Sequence, residues 1–572
     1  MEYQWFFKNR GNDDAVKSLA KDLSISIPNA RLLAQRGISS YDEAKSYFRP
    51  QLKDLHDPFL MKGMDKAVER LTQAISNNQN VLIYGDYDVD GTTSVSLMYS
   101  FLKHITQKID YYVPDRETEG YGISFKGIDY AKEHNCSLVI ALDCGIKAID
   151  KIDYANELGI DFIICDHHLP GNKLPNAVAI LDTKQADCNY PDKDLSGCGV
   201  GFKLAQAFAS KNNIPKEETY SLLDLVAVSI ASDIVPVIGE NRILAYYGLK
   251  LLNQNPRVGL QSLIQVCELE NKEIDINDIV FKIGPRINAA GRLKSAKYSV
   301  DLLIEQDYAK AQENALAINS INTERRDIDS NITKEALETI NNSEELINKK
   351  TTVLCSSKWH KGVVGIVASR MLEHFYRPTI ILTESDGILT GSARSIRGFN
   401  IYEAIDSCSD LLDGYGGHMY AAGLNLKKEN FIAFQERFES FVSNKITPDQ
   451  LIPKIEVDLK INIDTIDRKF YNIIKQMSPF GPGNMRPVFV IQNLKDSGQS
   501  RIVGKDKSHL KISVKQNNSE NILNGIAFKR ADFHPKMQEE FAACFNLNEN
   551  IFRGNTNIEM EVKDLQICEN NS

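Results

Sequence analysis

Paired cysteines are the first thing this 572-residue sequence lacks. Its ten cysteines are scattered from Cys136 to Cys568 with no CxxC pair, which argues against a thiolate zinc site. No run approaches the ~18 apolar residues of a membrane span. The opening MEYQWFFKNRGNDD has no apolar stretch behind a basic start, so no secretory leader is read there. Net positive charge is also missing. The formal balance is −9, so no global basic signature points to nucleic acid, although a local basic groove can sit on an acidic protein. A GxxxxGK[ST] loop is absent, which excludes a nucleotide-driven motor or ligase of that type. Internal repeats and low-complexity tracts are lacking too. These absences leave the expectation of a reduced, cytoplasmic protein with no membrane segment.

What is present is ordinary globular composition, 42% apolar, 25% charged and 8% aromatic, enough for several cores. The length prior of roughly 150 residues per domain predicts about three or four domains. Residues 1–60 read as a helical and irregular segment. From about residue 80 the texture becomes short β-rich runs, VLIY (81–84), LVIAL (138–142) and DFIIC (161–165), separated by helical patterns such as IDYAKEHN and IDYANELG. That alternation predicts βαβ units and a parallel sheet buried on both faces. Residues 305–345 hold few breakers and many charges, which predicts a long connecting helix. A second α/β section follows, with TTVLCSS, GIVASRMLEHF and TIILTES. Past about residue 448, runs such as RPVFVIQNL and HLKISVKQ predict a small β domain. The expected architecture is therefore α/β. A domain at 61–304 and another at 346–447 are joined by the 305–345 helix, with a β domain at 448–572 and the N-terminal segment 1–60.

The chemistry gathers at strand ends. VLIY ends in GDYDVDG, LVIAL in Asp143-Cys144-Gly145, and DFIIC in Asp166-His167-His168; Asp233 follows the apolar stretch LLDLVAVSIAS. Ligands of open α/β sheets bind at the carboxyl ends of the strands, so one sheet can gather these groups at one edge. DYDVDG matches the start of an EF-hand loop, but Leu97 occupies the twelfth position where a bidentate Glu is required, and a strand precedes it. Up to six carboxylates and two imidazoles are too oxygen-rich for one catalytic zinc and too many for one magnesium. They suit two Mn²⁺ or Mg²⁺ ions sharing carboxylates, the arrangement that serves in-line displacement at phosphorus. Without cations, the acids raise one another's pKa values.

GDYDVDG, LDCG, CDHH and VSIASDIVP resemble, in order and spacing, the motifs of the DHH phosphoesterase superfamily, and within it the RecJ branch of single-strand-specific 5′→3′ DNA exonucleases. VPDRETEGYGIS (113–124), LSGCGVGFKLA (195–205), FKIGPRINAAGRL (281–293), WHKGVVGIVASR (359–370), GSARS (391–395), YGGHMYAAG (415–423) and SPFGPGNMRPVF (478–489) extend the resemblance over nearly the whole chain. It implies a DHH domain, a DHHA1-like domain and a C-terminal OB-like domain. It implies Asp88, Asp90, Asp143, His167 and Asp233 as ligands of two divalent cations, with Asp86 and Asp166 as further candidates; Asp166 would orient a histidine. His168 is implied at the scissile phosphate. The place four residues before Asp88, a histidine in some members, is Tyr84 here, which predicts weaker binding of the first metal.

Arginine suits phosphate because its planar fork pairs with two oxygens at once. Arg116, Arg286, Arg292 and Arg394 all lie in glycine-containing contexts. The resemblance implies Arg116, Arg292, Ser392 and Arg394 as phosphate contacts, while His360, His418 and Tyr121 are expected along the DNA path. Lysines on the β pattern VGKDKSHLKISVK (503–515) fit a single-strand groove or a solvated face. Implied partners are single-stranded DNA, single-strand-binding protein and a helicase, with the chain a monomer. Two other readings stay open on the residues: a phosphoesterase of short RNA or cyclic dinucleotides, and a non-catalytic binding homologue.

Overall fold

The structure, a computed structural model, describes residues 3–517, 519–552 and 554–568. Its first sheet is five-stranded and wholly parallel, in the order Ile109–Tyr112, Asn80–Gly85, Cys136–Leu142, Asp161–Cys165, Ala179–Leu181. Alternation within each strand divides the core. Val81, Ile83, Leu138, Ile140 and Leu142 face the helices Val89–Lys103 and Gly197–Lys211. Leu82, Tyr84, Val139 and Ala141 join the core beneath Phe125–Glu133 and Ile149–Glu157. Burial on both faces is why these strands read as continuous apolar runs.

The register fixes the functional edge. Gly85 pairs with Leu142, Leu142 with Cys165, and Cys165 with Leu181. The residues that follow, Asp86, Asp143, Asp166 and Asp182, therefore form a row across the carboxyl end of four adjacent strands.

The connecting helix runs Tyr308–Asn341. Ala311, Ala315 and Ile318 belong to the first core, whereas Ile332, Ala336 and Ile340 belong to the next. Between them the buried positions turn polar: Asn322, Arg325 and Asp329. Arg325 donates to both Asn322 (2.6 Å) and Asp329 (2.8 Å). The opposite oxygen of Asp329 lies 2.6 Å from the Arg370 guanidinium, so the helix is tied to the second α/β domain by a partly buried ionic joint. The second sheet is mixed, in the order Gly414–His418, Ala421–Lys427, Ile388–Arg394, Thr379–Ser385, Thr352–Cys355, with only the last two strands parallel.

The C-terminal strands form a seven-stranded sheet that a further pairing, Leu494 with Gln516, curls toward a barrel. The N-terminal segment is helical, as expected, but its first strand was not read from the sequence. Gln4–Phe7 pairs in parallel with Lys454–Val457, and the Trp5 indole donates to Asp564. Val16, Leu19, Leu32 and Leu33 share one core with Phe489, Phe541 and Phe545. Both chain ends thus build one unit. Arg242 fastens it to the first domain by donating to the carbonyls of Tyr47, Met477, Ser478 and Pro479. No helix among the described residues is long and apolar enough to cross a membrane.

Candidate active site

Asp90 sits in the first turn of Val89–Lys103, behind the N-cap Asp88, whose carboxylate accepts from the Gly91 N–H. The amides of Gly197 (2.7 Å) and Cys198 (2.8 Å) donate to Asp90 from the start of another helix, and the Ser229 hydroxyl adds a third bond at 2.7 Å. A carboxylate is stable there because the helix start presents unpaired N–H groups and the positive end of its dipole. Gly197 is obligatory: a Cβ would stand 2.6 Å from the Cβ of Asp143.

Asp143 has a left-handed backbone, φ 59°, a conformation that Asp tolerates better than most side chains. This turn brings its carboxylate to the imidazole of His167, with Nε2 3.1 Å from Oδ1. The same Nε2 is 3.6 Å from Asp233 and 3.7 Å from Asp90. None of these contacts has the geometry of a hydrogen bond. Asp143 Oδ1, Asp86 Oδ2 and both His167 ring nitrogens are buried with no partner. Buried polar atoms are rarely left so, and here several face one point. Asp90, His167 and Asp233 offer donor atoms within 4.8 Å of one another, as do Asp143, His167 and His168. An oxygen-rich set with imidazole fits divalent cations of the Mn²⁺ or Mg²⁺ kind.

The electrostatics agree. Burial, then the charge of neighbouring aspartates, raises the carboxyls of Asp86, Asp88 and Asp143, and brings Asp233 up to about 8. Burial lowers His167, keeping its lone pair free. Asp166 behaves differently. Burial pushes it up, but the hydrogen bond and charge of His168 and the Ile146 N–H outweigh this and hold it at about 2. Its oxygens accept from the amides of Ile146, His167 and His168 and from His168 Nδ1 at 2.7 Å. Asp166 is therefore committed to orienting His168, whose outer Nε2 lies 3.1 Å from the Tyr121 hydroxyl. Tyr84 faces the opposite layer, its hydroxyl donating to the Gly122 carbonyl and accepting from the Ser124 N–H.

Asp182 was missed from sequence. It is buried, has one unpartnered oxygen, and is raised to about 7 by burial. Its strand, Ala179–Leu181, is too short to give a β signal. Ser229 was missed because its partner Asp90 is 139 positions away.

A second cluster lies alongside. Arg116 stands 5.1 Å over the Tyr87 ring. Arg292 donates to the Gly362 carbonyl (3.1 Å), and Arg394 donates to Ser392 Oγ (2.7 Å). Burial, then the charges of Arg116, Arg325 and Arg394, depress Arg292 to about 10. Among the described residues none of Arg116, Arg292 and Arg394 has a carboxylate partner. Three unneutralised guanidiniums in mutual repulsion call for a polyanion. Ser392 and Arg394 lie over the first turn of Val364–Phe375, where a Cβ on Gly365 would meet both at 3.1 Å. His360 is next to this cluster, its Nδ1 accepting from the Gly362 N–H. His418 is exposed on its edge strand, and its Nδ1 accepts from the Tyr420 N–H. Arg286 is taken up by Asn319 and the Lys282 carbonyl. Tyr121 is 57% exposed, so it is not a core tyrosine.

Family models match three stretches of the chain: the DHH family N-terminal domain at 80–230, the DHHA1 domain at 348–444 and the RecJ OB domain at 457–564. The chain is 39% identical over 527 residues to the Bacillus subtilis protein named single-stranded-DNA-specific exonuclease RecJ, covering 91% of this chain and 65% of that one. It thus spans just under two thirds of that relative. It is 32% identical to the Escherichia coli protein of the same name, covering 95% of this chain and 97% of that one. Among solved structures, it is similar to RecJ in complex with Mn²⁺ from Thermus thermophilus, with TM-score 0.85 and 25% identity over 99% of this chain and 80% of that one. A second, an exonuclease RecJ bound to manganese, gives TM-score 0.61 and 30% identity over 70% of this chain and 98% of that one.

Proposed function

The chain belongs to the RecJ family of the DHH phosphoesterases, and on that premise we propose that it is a metal-dependent, single-stranded-DNA-specific exonuclease of DNA repair and recombination. The observation that carries this reading is the clustering of ligand atoms of Asp90, Asp143, His167 and Asp233, those of Asp143 and His167 buried without a partner, beside three arginines with no carboxylate partner among the described residues. Asp88, Asp90, Asp143, His167 and Asp233, with Asp86 at the edge, would hold two Mn²⁺ or Mg²⁺ ions. Bound there, such ions acidify an attacking water and neutralise charge at phosphorus.

The protein's own groups do the rest. His168, fixed through Nδ1 by Asp166, presents its other nitrogen to the scissile phosphate. Arg116, Arg292, Arg394 and Ser392 hold the terminal 5′ phosphate. Two anchors, one on the end and one on the bond to be cut, set the step at one nucleotide and the direction as 5′→3′. Tyr121, His360 and His418 line the path of the strand, and the C-terminal OB-like domain holds the strand beyond it. The functional division is 1–60, 61–304, 305–345, 346–447 and 448–572. Such an enzyme works in the cytoplasm as a monomer, on strands exposed by a helicase and covered by single-strand-binding protein.

The test uses single-stranded DNA labelled at either end, a blunt duplex and RNA of the same sequence, with Mn²⁺, Mg²⁺ or chelator. The expected result is mononucleotide release from the 5′ end of single-stranded DNA with metal, none with chelator and little from duplex or RNA. Binding without hydrolysis at saturating manganese sinks the reading; release from the 3′ end overturns the polarity.

A further inference from the structure

A cavity of about 670 Å³ opens beside the metal centre, on the layer formed by Phe125–Glu133 and Ile149–Glu157. Asp166, His168 and Tyr121 form the wall it shares with that centre; Phe125, Lys147 and Lys151 line its other side. We propose that this cavity receives the base of the nucleotide being excised, with room for a base enlarged by a covalent adduct. The inference rests on the exonuclease reading above and adds a subsite to it.

Position is the first argument. The 113–124 loop carries Arg116 at one end, in the arginine cluster, and Tyr121 at the other, with its hydroxyl 3.1 Å from His168 Nε2. A terminal nucleotide held by its 5′ phosphate at the arginines and by its 3′ phosphodiester at the metal centre lies along this loop. Its base must leave the phosphate line sideways, and this cavity borders His168 on that course.

Chemistry is the second. Tyr121 is 57% and Phe125 47% exposed, two aromatic faces where water would ordinarily be excluded. Aromatic faces stack on any base, as a sequence-tolerant nuclease requires. Gly120 and Gly122, both at positive φ, flank Tyr121 and allow its ring to adjust. Lys151 lies 5.2 Å over the Phe125 ring and is paired with Asp150 at 2.7 Å, whereas Lys147 has no carboxylate partner among the described residues. The long flexible ammonium group of Lys147 can reach the acceptors of different bases without reading one pattern. Size is the third. The volume falls in the ~300–1,000 Å³ range of sites for drug-sized ligands, of which one base is a fraction.

The experiment uses the full chain with Mn²⁺ and three 5′-phosphorylated single strands. Their terminal residue is thymidine, a tetrahydrofuran abasic analogue, or thymidine bearing fluorescein on the base. Wild type is expected to show KM about tenfold higher for the abasic end, the order expected from losing one stacked base, and to excise the fluorescein-bearing nucleotide. Phe125→Ala should raise KM for the thymidine end by a similar factor and leave the abasic end unchanged, while Phe125→Tyr restores the wild-type difference. Equal KM for thymidine and abasic ends in wild type, or an equal rise for both in Phe125→Ala, overturns the subsite and leaves the exonuclease standing. A blocked fluorescein end overturns the spare room. Failure to degrade even the thymidine strand removes the reading on which the subsite depends.

Discussion

At the scale of the residue, the site is an arrangement of charge that is unfavourable when empty. Asp143 is buried against Asp90, Asp88 and Asp233, each raising its carboxyl. Replacing it by Asn removes a repelled charge and keeps a side chain suited to the left-handed turn at φ 59°. Asp143→Asn should therefore melt no lower than wild type in chelator, yet lose hydrolysis and most of the rise in Tm on adding Mn²⁺. That rise corresponds to about 2.7 kcal/mol when the ion is a hundredfold above its Kd. Thermal scans with and without metal check it, and an undiminished shift contradicts the ligand role. Arg394 acts differently, because it faces no carboxylate and is bonded to Ser392. Arg394→Ala should raise KM for 5′-phosphorylated strands by roughly tenfold or more, the order of a hydrogen bond to a charged group, with kcat little changed. On 5′-hydroxyl strands the difference should vanish; a drop in kcat alone would count against an end clamp. Most of the acids were legible as motif residues at strand ends. Asp182 and Ser229 were not, because a three-residue strand and a contact 139 positions apart leave no local pattern.

At the scale of the element, the β-rich runs announced the central strands, and the row of aspartates follows from parallel register. What the sequence concealed is how a second helix start enters that row. The glycine-rich stretch within LSGCGVGFKLA supplies that start: Gly197 and Cys198 are amide donors to Asp90, and Gly197 clears Asp143. Gly197→Ala forces a Cβ to 2.6 Å from that of Asp143, where backbone must move. Overpacking of this kind costs roughly 1–3 kcal/mol, and here it also displaces a carboxylate proposed as a metal ligand. Denaturant unfolding should register the loss, and Mn²⁺-dependent hydrolysis should fall with it. Gly199→Ala, whose Cβ would meet Ser196 Oγ at 3.3 Å, is the control expected to retain most activity. The N-terminal strand escaped reading for a related reason. Four residues whose partner is Lys454–Val457 cannot be told from irregular chain until the ends are brought together.

At the scale of the whole molecule, the arginines proposed to recognise the strand end come from segments that only the complete fold unites. Arg116 comes from the first domain, Arg292 from a helix next to the connector, and Arg394 from the second domain. The Asn322–Arg325–Asp329–Arg370 joint fixes the connecting helix to the second of those domains. Holding the strand, as proposed for the C-terminal unit, is a separate task that backbone electrostatics would serve. On His509–Gln516, Leu510, Ile512 and Val514 point into the core, while Lys511 and Lys515 lie on the other face. Lys505 and Lys507 are exposed in the preceding turn, and none of the four lysines is ion-paired among the described residues. A solvated face and a phosphate track look alike in sequence, but salt dependence separates them. Removing one lysine–phosphate pairing lowers the slope of log K against log[salt] by ~0.7 for single strands. Lys505→Glu with Lys511→Glu should therefore weaken binding of a long single strand and lower that slope by about 1.4. Mn²⁺-dependent turnover of an oligonucleotide too short to reach the C-terminal unit should be unaffected, because the metal centre and the arginines are untouched. An unchanged slope would make the lysines a solvated face and move strand holding back to the α/β domains.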